Sequence, residues 1–254
     1  MKKRILYVII IILIIVACIL FVNKGSSANE TIKVGVKSDF DRFSSYDETN
    51  ERYSGFEIDL SKILFNELGY SNIEYVTVDT NNREEMLLNG DVDCIMGGYS
   101  YSEDRSKKFD LSTPYYSDAF MIVSLNSSMF CKLEDLSDCN IGIINSDFVD
   151  KTVKAILNNN GAKNYRIIRV DSYDKLSKMI DSANLDAVAL DQSMGMNYLY
   201  DGFYTILYKE PNASEFCIAL PKDSSLTGKI KSQLKEFNDA GTINKMLKRW
   251  GIEQ

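Results

Sequence analysis

Histidine is absent from the 254-residue chain, and the cysteines include no CxxC pair. These absences exclude histidine-based catalytic triads and the usual zinc motifs. The formal net charge of −7 leaves no basic surplus of the kind that nucleic-acid-binding domains carry. We therefore expect no cofactor, metal or nucleic-acid partner. The composition, 45% hydrophobic and 26% charged, is that of a folded globular protein long enough for two lobes.

The N-terminus begins with a basic cluster, followed by an apolar run over residues 5–22. This pattern is typical of a secretory signal, and its length also suits a membrane anchor. The positive end should stay in the cytoplasm, which places the rest of the chain outside, tethered to the outer face of the membrane. Residues 15–18, Ile-Val-Ala-Cys, resemble the lipobox of bacterial lipoproteins and would make Cys18 the lipidated first residue. The uncleaved anchor stays open as the alternative, because residues 19–22 are also apolar.

The other four cysteines allow three disulfide pairings, among which the sequence does not choose. Cys94 and Cys217 lie in apolar, strand-like runs, where cysteine behaves as a small hydrophobic residue. Cys131 and Cys139 could close a short loop.

Strand-like and helix-like segments alternate in two series, which predicts an α/β protein with parallel sheets. In the first series the predicted strands are 31–36, 73–78 and 92–96, the helices are 55–68 and 83–89, and 37–54 is a polar loop. In the second series the strands are 141–144, 165–170 and 186–190, and the helices are 148–158, 173–182 and 192–199. Extended runs at 119–125, 203–208 and 216–220 flank this second series, and helices at 226–238 and 242–250 close the chain. This order predicts a second lobe inserted into the first and joined to it by two crossing strands, with a ligand cleft between the lobes.

The stretch at residues 97–116 concentrates groups that could bind a ligand. Gly97 and Gly98 follow a buried strand and would allow close backbone approach, and Ser100 supplies a hydroxyl. Ser102 is a predicted N-cap, and Arg105 in the following turn could clamp a carboxylate bidentately. The competing interpretation is a capped surface helix with a solvated arginine.

Several segments, taken in order, resemble the solute-binding proteins of bacterial amino-acid ABC importers, family 3, which have the two-lobe type 2 periplasmic-binding-protein fold. The resembling segments are Gly-Phe-Glu-Ile-Asp-Leu at 55–60, Leu-Asn-Gly-Asp-Val-Asp at 88–93, Ser102 to Arg105 with Phe109, Ser112, Pro114 and Tyr115, the strand ending in an acid at 185–191, and Ala-Gly-Thr at 240–242 with Trp250. The resemblance implies a signal or anchor at 1–22, a linker at 23–29, lobe 1 at 30–118, lobe 2 with its hinge strands at 119–215, and a return to lobe 1 at 216–254. It also implies a monomer that delivers a small polar solute to an ABC permease.

The resemblance further implies roles for individual residues around one free amino acid. Arg105 would hold the α-carboxylate, and Asp191 would take the α-ammonium from lobe 2. Ser100 and the Gly98 backbone would hydrogen-bond the ligand, and Phe40 would stack on it. On local sequence alone, Asp191 would be the N-cap of the next helix. For Phe40, packing at the edge of a core and stacking on a ligand are equally consistent with the sequence.

Two positions depart from the family pattern. Residues 145–148 read Asn-Ser-Asp-Phe where the family usually presents Gly-Thr or Gly-Ser at a helix N-terminus. Ser146 remains a ligand candidate there, whereas Asp147 would repel a carboxylate or cap the helix. Lys37 stands where many relatives place an acid, and it would favour an acidic or polar ligand side chain. Because Asp147 and Phe40 would favour a cation, the sequence leaves the ligand open.

Two other functions use the same fold. Cyclohexadienyl dehydratases resemble it, and Asp39, Glu57 and Asp191 are available as acid or base. A membrane-tethered ligand sensor is the other alternative, if residues 5–22 are never removed. The binding protein, which is not an enzyme, is the leading prediction.

Overall fold

The computed structural model describes residues 31–125, 128–145, 147–171, 173–199 and 204–252. Its strands are β1 (Thr31–Val36), β2 (Asp39–Phe40), β3 (Ser44–Asp47), β4 (Arg52–Ser54), β5 (Asn72–Thr77), β6 (Cys94–Ile95), β7 (Asp110–Leu111), β8 (Tyr116–Leu125), β9 (Asn140–Ile144), β10 (Arg166–Val170), β11 (Ala187–Asp191), β12 (Tyr204–Phe216) and β13 (Ala219–Leu220). Its helices are α1 (Phe56–Glu67), α2 (Arg83–Asn89), α3 (Glu103–Lys108), α4 (Asp147–Asn159), α5 (Tyr173–Asp181), α6 (Gln192–Leu199), α7 (Thr227–Asp239) and α8 (Thr242–Arg249).

Lobe 1 is built on a sheet with strand order β5-β1-β6-β13-β7. β1 pairs in parallel with β5 and β6, and β13 is antiparallel to β6 and β7. β13 follows the whole of lobe 2 in the chain and completes the lobe 1 sheet, so the second lobe is inserted into the first. Ile32 and Val34 of β1 pack in one core with Ile230 and Leu234 of α7, which joins the C-terminal helices to lobe 1.

Lobe 2 is built on a sheet with strand order β10-β9-β11-β8-β12. β9 pairs in parallel with β10 and β11, while β8 is antiparallel to β11 and β12. Ile141 and Ile143 of β9 pack with Val153 and Leu157 of α4, because both elements turn their apolar side chains toward the same core. The predicted two-lobe α/β architecture is therefore the observed one.

The two crossing strands are β8 and β12, which pair along nearly their whole length from Tyr116–Phe216 to Leu125–Tyr204. The register shifts twice, between Ile206 and Tyr208 and between Glu210 and Ser214. Tyr116 and Phe216 belong to the lobe 1 core, whereas Phe120 and Ile122 belong to a core of lobe 2. One strand pair therefore serves both lobes.

Two predictions of secondary structure were wrong. Residues 37–54 are not a loop but contain the antiparallel sheet β2-β3-β4, whose strands are two to four residues long. Such short strands lack the alternating apolar run that signals a strand. Residues 204–216 form one strand where two separate extended runs were predicted. The prediction failed because residues 209–215, between the two apolar runs, are mostly polar and include a proline.

Cys94, Cys131, Cys139 and Cys217 are all free thiols, so the loop that Cys131 and Cys139 could have closed is not cross-linked. No helix within the described residues combines the length and apolarity needed to cross a membrane. Cys18 and the apolar run at 5–22 lie outside the described residues.

Candidate functional site

A cavity of about 790 Å³ lies between the lobes and is lined by residues from both. Lobe 1 contributes the end of β1, the turn after β6 and the start of α3, and lobe 2 contributes α4, α6 and the end of β11. The crossing strand β12 forms part of its wall. The charged residues that line it are Lys37, Arg83, Asp104, Arg105, Asp191, Glu210 and Glu215. Six predicted site residues share this cavity: Lys37, Phe40, Gly98, Ser100, Arg105 and Asp191.

The turn at Gly97 and Gly98 is held in place by a buried carboxylate. Both glycines have positive φ angles, 68° and 63°, and a Cβ on Gly98 would lie 2.8 Å from the Phe40 ring. Glu57, in the first turn of α1, accepts hydrogen bonds from the N–H groups of Gly97 (2.9 Å) and Gly98 (2.8 Å). It also accepts one from the Tyr115 hydroxyl (2.5 Å). The N–H of Gly98, one of the two backbone groups with which this residue could meet the predicted ligand, is thus engaged within the protein.

Burial raises the pKa of Glu57, and the hydrogen bonds from Tyr115 and Gly98 oppose that rise. From the sequence, Glu57 was expected only as a candidate acid or base. Its supporting role went unnoticed because the three donors lie about 40 to 58 positions along the chain, at Gly97, Gly98 and Tyr115.

Arg105 is positioned by three neighbours. Its Nε donates to Glu84 (3.2 Å), its Nη1 donates to the Ser100 carbonyl (2.8 Å), and its guanidinium lies 4.3 Å from the centre of the Tyr99 ring. The predicted N-cap is confirmed, since the Ser102 hydroxyl accepts from the backbone N–H of Arg105 (3.2 Å). The arginine is part-buried, so it is not the freely solvated residue of the competing interpretation.

Arg83 is a further cationic group on this wall, and it was not predicted from the sequence. It is the first residue of α2 and is buried, with its guanidinium 4.8 Å from the centre of the Tyr99 ring. Burial, together with repulsion from Arg105, lowers the pKa of Arg83 to about 10. An arginine at a short helix start is normally solvated, so no local signal distinguishes this one.

Asp191 ends β11 on the opposite wall and is half-buried. Burial, followed by the charge of Asp118, raises the pKa of Asp191 to about 7. Among the described residues, no group donates a hydrogen bond to its carboxylate. A cationic group is the complementary partner for an unpaired carboxylate in a cavity.

From local sequence, Asp191 would cap α6. The first turn of α6 donates its hydrogen bonds to Asp118, on the crossing strand β8. Asp118 accepts from the N–H of Ser193 (3.0 Å) and from the Ser193 hydroxyl (2.5 Å), as well as from the N–H of Ala119 (3.0 Å). It is fully buried, and burial raises its pKa to about 6 against the opposing effect of the Ser193 hydrogen bonds. Sequence reasoning missed Asp118, because it acts on a helix 75 positions away.

The side chains of Phe40, Lys37 and Ser100 contact other residues of the protein. Phe40 is buried against Phe43 (4.4 Å between ring centres) and also lines the cavity, so both interpretations of it describe part of its environment. Lys37 lies 3.6 Å from an Asp39 oxygen, and the Ser100 hydroxyl bonds that of Ser214 on β12 at 3.0 Å. Ser146 and the side chain of Asp147 lie outside the described residues.

A family model described as "Bacterial extracellular solute-binding proteins, family 3" matches residues 32–253. The chain belongs to this family. Among its relatives, the arginine-binding extracellular protein ArtP of Bacillus subtilis (strain 168) is 29% identical over 252 residues, covering 94% of this chain and 96% of the relative. A probable histidine-binding protein of Neisseria gonorrhoeae is 22% identical over 232 residues, covering 89% and 85%. The solved structure of an ancestral arginine-binding protein bound to arginine is 27% identical with a TM-score of 0.72, covering 87% of this chain and 97% of that one.

These comparisons confirm the predicted family, the two-lobe fold and the solute-binding function. The protein is an extracytoplasmic solute-binding protein, and the named relatives are binding proteins, which favours binding over the dehydratase alternative. The roles of single residues remain predictions.

Proposed function

We propose that the protein captures a free amino acid between its lobes and delivers it to the permease of an ABC transporter. One observation carries this proposal: Arg105 of lobe 1 and Asp191 of lobe 2 line the same cavity. A zwitterion supplies an anion for the first and a cation for the second. Charged groups that lose their hydration on binding need partners of opposite charge, so Arg105 and Asp191 together favour an amino acid over a neutral solute.

The charges that line the cavity favour a ligand with a cationic side chain. They comprise three cations and four acids, namely Lys37, Arg83 and Arg105 against Asp104, Asp191, Glu210 and Glu215. Their formal net charge is therefore −1, which complements a ligand of charge +1 such as arginine or lysine. The arginine-binding relatives support the same choice.

A thermal-shift and calorimetry panel of amino acids, using the full chain in mild detergent, tests this function. Arginine and lysine should raise the melting temperature most, glutamine and histidine less, and glutamate least. A ligand present at 100 to 1,000 times its dissociation constant should stabilise the protein by about 3 to 4 kcal/mol. If no amino acid shifts the transition or releases heat, the proposal is wrong.

We also propose that the protein acts as a monomer tethered to the outer face of the membrane through a lipid on Cys18. The support is the lipobox-like sequence that ends at Cys18 after an apolar run. Mass spectrometry of the native N-terminus tests the tether. A lipid-modified peptide that begins at Cys18 is expected, and an intact Met1 would show an uncleaved anchor instead.

A further inference from the structure

Arg83 is a buried cation without a carboxylate partner among the described residues. Its side chain is 5% exposed and belongs to the cavity wall. Its Nη1 makes one long hydrogen bond to the Gly97 carbonyl (3.4 Å), and its Nε finds no acceptor in the described part of the chain. A guanidinium has five N–H donors, and buried charges are normally paired. The described part of the protein therefore uses little of the hydrogen-bonding capacity of Arg83.

The neighbouring carboxylate cannot serve both arginines equally. The Oε1 atom of Glu84 accepts from Arg105 Nε (3.2 Å) and from the Tyr99 hydroxyl (3.0 Å). Both guanidinium groups lie over the same Tyr99 ring, so they are close enough to repel each other. This wall of lobe 1 consequently carries more positive than negative charge, and the excess faces the cavity.

We propose that Arg83 is a second carboxylate-binding residue of the cleft and that, together with Arg105, it holds the carboxylate of the bound amino acid. This inference rests on the proposed function. A carboxylate has about four lone-pair sites, so two guanidinium groups can share it. The competing explanation is structural, in which Arg83 only packs on Tyr99 and supports the Gly97 carbonyl.

The two explanations differ in which ligands are affected by Arg83→Met, a substitution that keeps an unbranched apolar stem and removes the charged guanidinium. The comparison uses arginine and arginine methyl ester, whose carboxylate is neutralised. A carboxylate contact predicts that Arg83→Met weakens arginine binding by about 10- to 100-fold while changing the affinity for the ester by no more than about threefold. Arg83→Lys should recover part of the loss. Arg166→Met, at an exposed position on β10, is the matched control and should change neither affinity.

The melting temperature of the unliganded variant gives a second measurement that works even if the ester binds too weakly to measure. Removing an unpaired buried charge should leave the melting temperature of Arg83→Met equal to or above that of the unmodified protein. A melting temperature lower by several degrees, equal losses for arginine and the ester, or an unchanged affinity for arginine would overturn the inference. If the unmodified protein binds no amino acid, the proposed function fails as well. Binding that is insensitive to Arg83 rejects this inference alone.

Discussion

At the scale of single residues, the proposed site depends on charged groups whose hydrogen-bonding capacity is only partly used within the described part of the protein. Arg105 is oriented by Glu84 and Ser100, but those contacts use only two of its five N–H donors. Asp191 faces the cavity without a hydrogen-bond donor among the described residues. Such groups cost stability in the free protein and bind strongly when a complementary charge appears.

Arg105→Ala should lower the affinity for arginine by about 100-fold or more, since it removes a charge-assisted bidentate contact. The melting temperature should change little, because the side chain is only part-buried. Isothermal titration calorimetry measures the affinity, and Lys108→Ala, an exposed change in the same helix, is the control. An unchanged affinity would remove Arg105 from the site.

The raised pKa of Asp191 predicts that binding depends on pH. An ammonium group needs the ionised carboxylate, so the affinity should fall roughly tenfold per pH unit below the pKa of about 7. Asp191→Asn should weaken binding strongly at pH 8 and remove most of this slope. The residual slope would come from Asp118, whose pKa is raised to about 6. Titrations between pH 5 and pH 8 check this, and a flat profile in the unmodified protein would argue against an ammonium contact at Asp191.

The raised pKa of Asp191 also predicts how the stability of the protein without added ligand depends on pH. The folded-state pKa lies above the ordinary value of 3.8, so the folded protein holds a proton that the unfolded chain has lost between about pH 4 and pH 7. Stability from this group is present at low pH and lost as the pH rises through 7. Asp191→Asn should therefore raise the melting temperature at pH 8 and raise it less at pH 5. The reverse order in a melting series would contradict the assignment.

At the scale of elements, α1 and the turn after β6 form one unit through Glu57. Glu57→Gln keeps the shape but replaces one acceptor oxygen with an N–H₂ group that faces a backbone donor. We expect a loss of about 2 to 4 kcal/mol in the free energy of unfolding, because a fully buried hydrogen-bond network is broken. Urea unfolding measures it, with Glu67→Gln, exposed at the end of the same helix, as the control. Equal stability in the two variants would show that the turn does not depend on Glu57.

The sequence predicted those elements whose signals are local. Helix α2 and its stop at Gly90, the strand β1 and the N-cap at Ser102 follow from apolar periodicity and capping chemistry. The small sheet β2-β3-β4 did not follow, because its strands are only two to four residues long. The single strand β12 did not follow, because its second half is mostly polar and its pairing is set by β8, which is distant in the chain. Arg83 and Asp118 were not predicted either, because only a tertiary contact distinguishes each of them from an ordinary surface residue.

At the scale of the whole molecule, the lobes are connected through β8 and β12, and the cavity lies between them. The register shift between Glu210 and Ser214 falls in the part of β12 that lines the cavity. We propose that the lobes rotate at this irregular pairing. A ligand that contacts Arg105 and Asp191 at once favours the closed arrangement, because only that arrangement satisfies both charges.

Closure predicts a smaller molecule in the presence of ligand. Small-angle scattering of the full chain with saturating arginine should give a smaller radius of gyration than scattering without it. Asp191→Asn should lose most of this change, since lobe 2 then lacks the charge that draws it toward the ligand. A radius that stays constant in the unmodified protein, under conditions where calorimetry shows binding, would indicate that the lobes do not move.

The central claim is that one zwitterion bridges an arginine of lobe 1 and an aspartate of lobe 2. A crystal structure with bound arginine tests it most directly. The ligand carboxylate should lie within about 3 Å of the Arg105 guanidinium, and the ligand amine within about 3 Å of the Asp191 carboxylate. A ligand bound in the reverse orientation, or one that touches only one of these residues, would contradict the account.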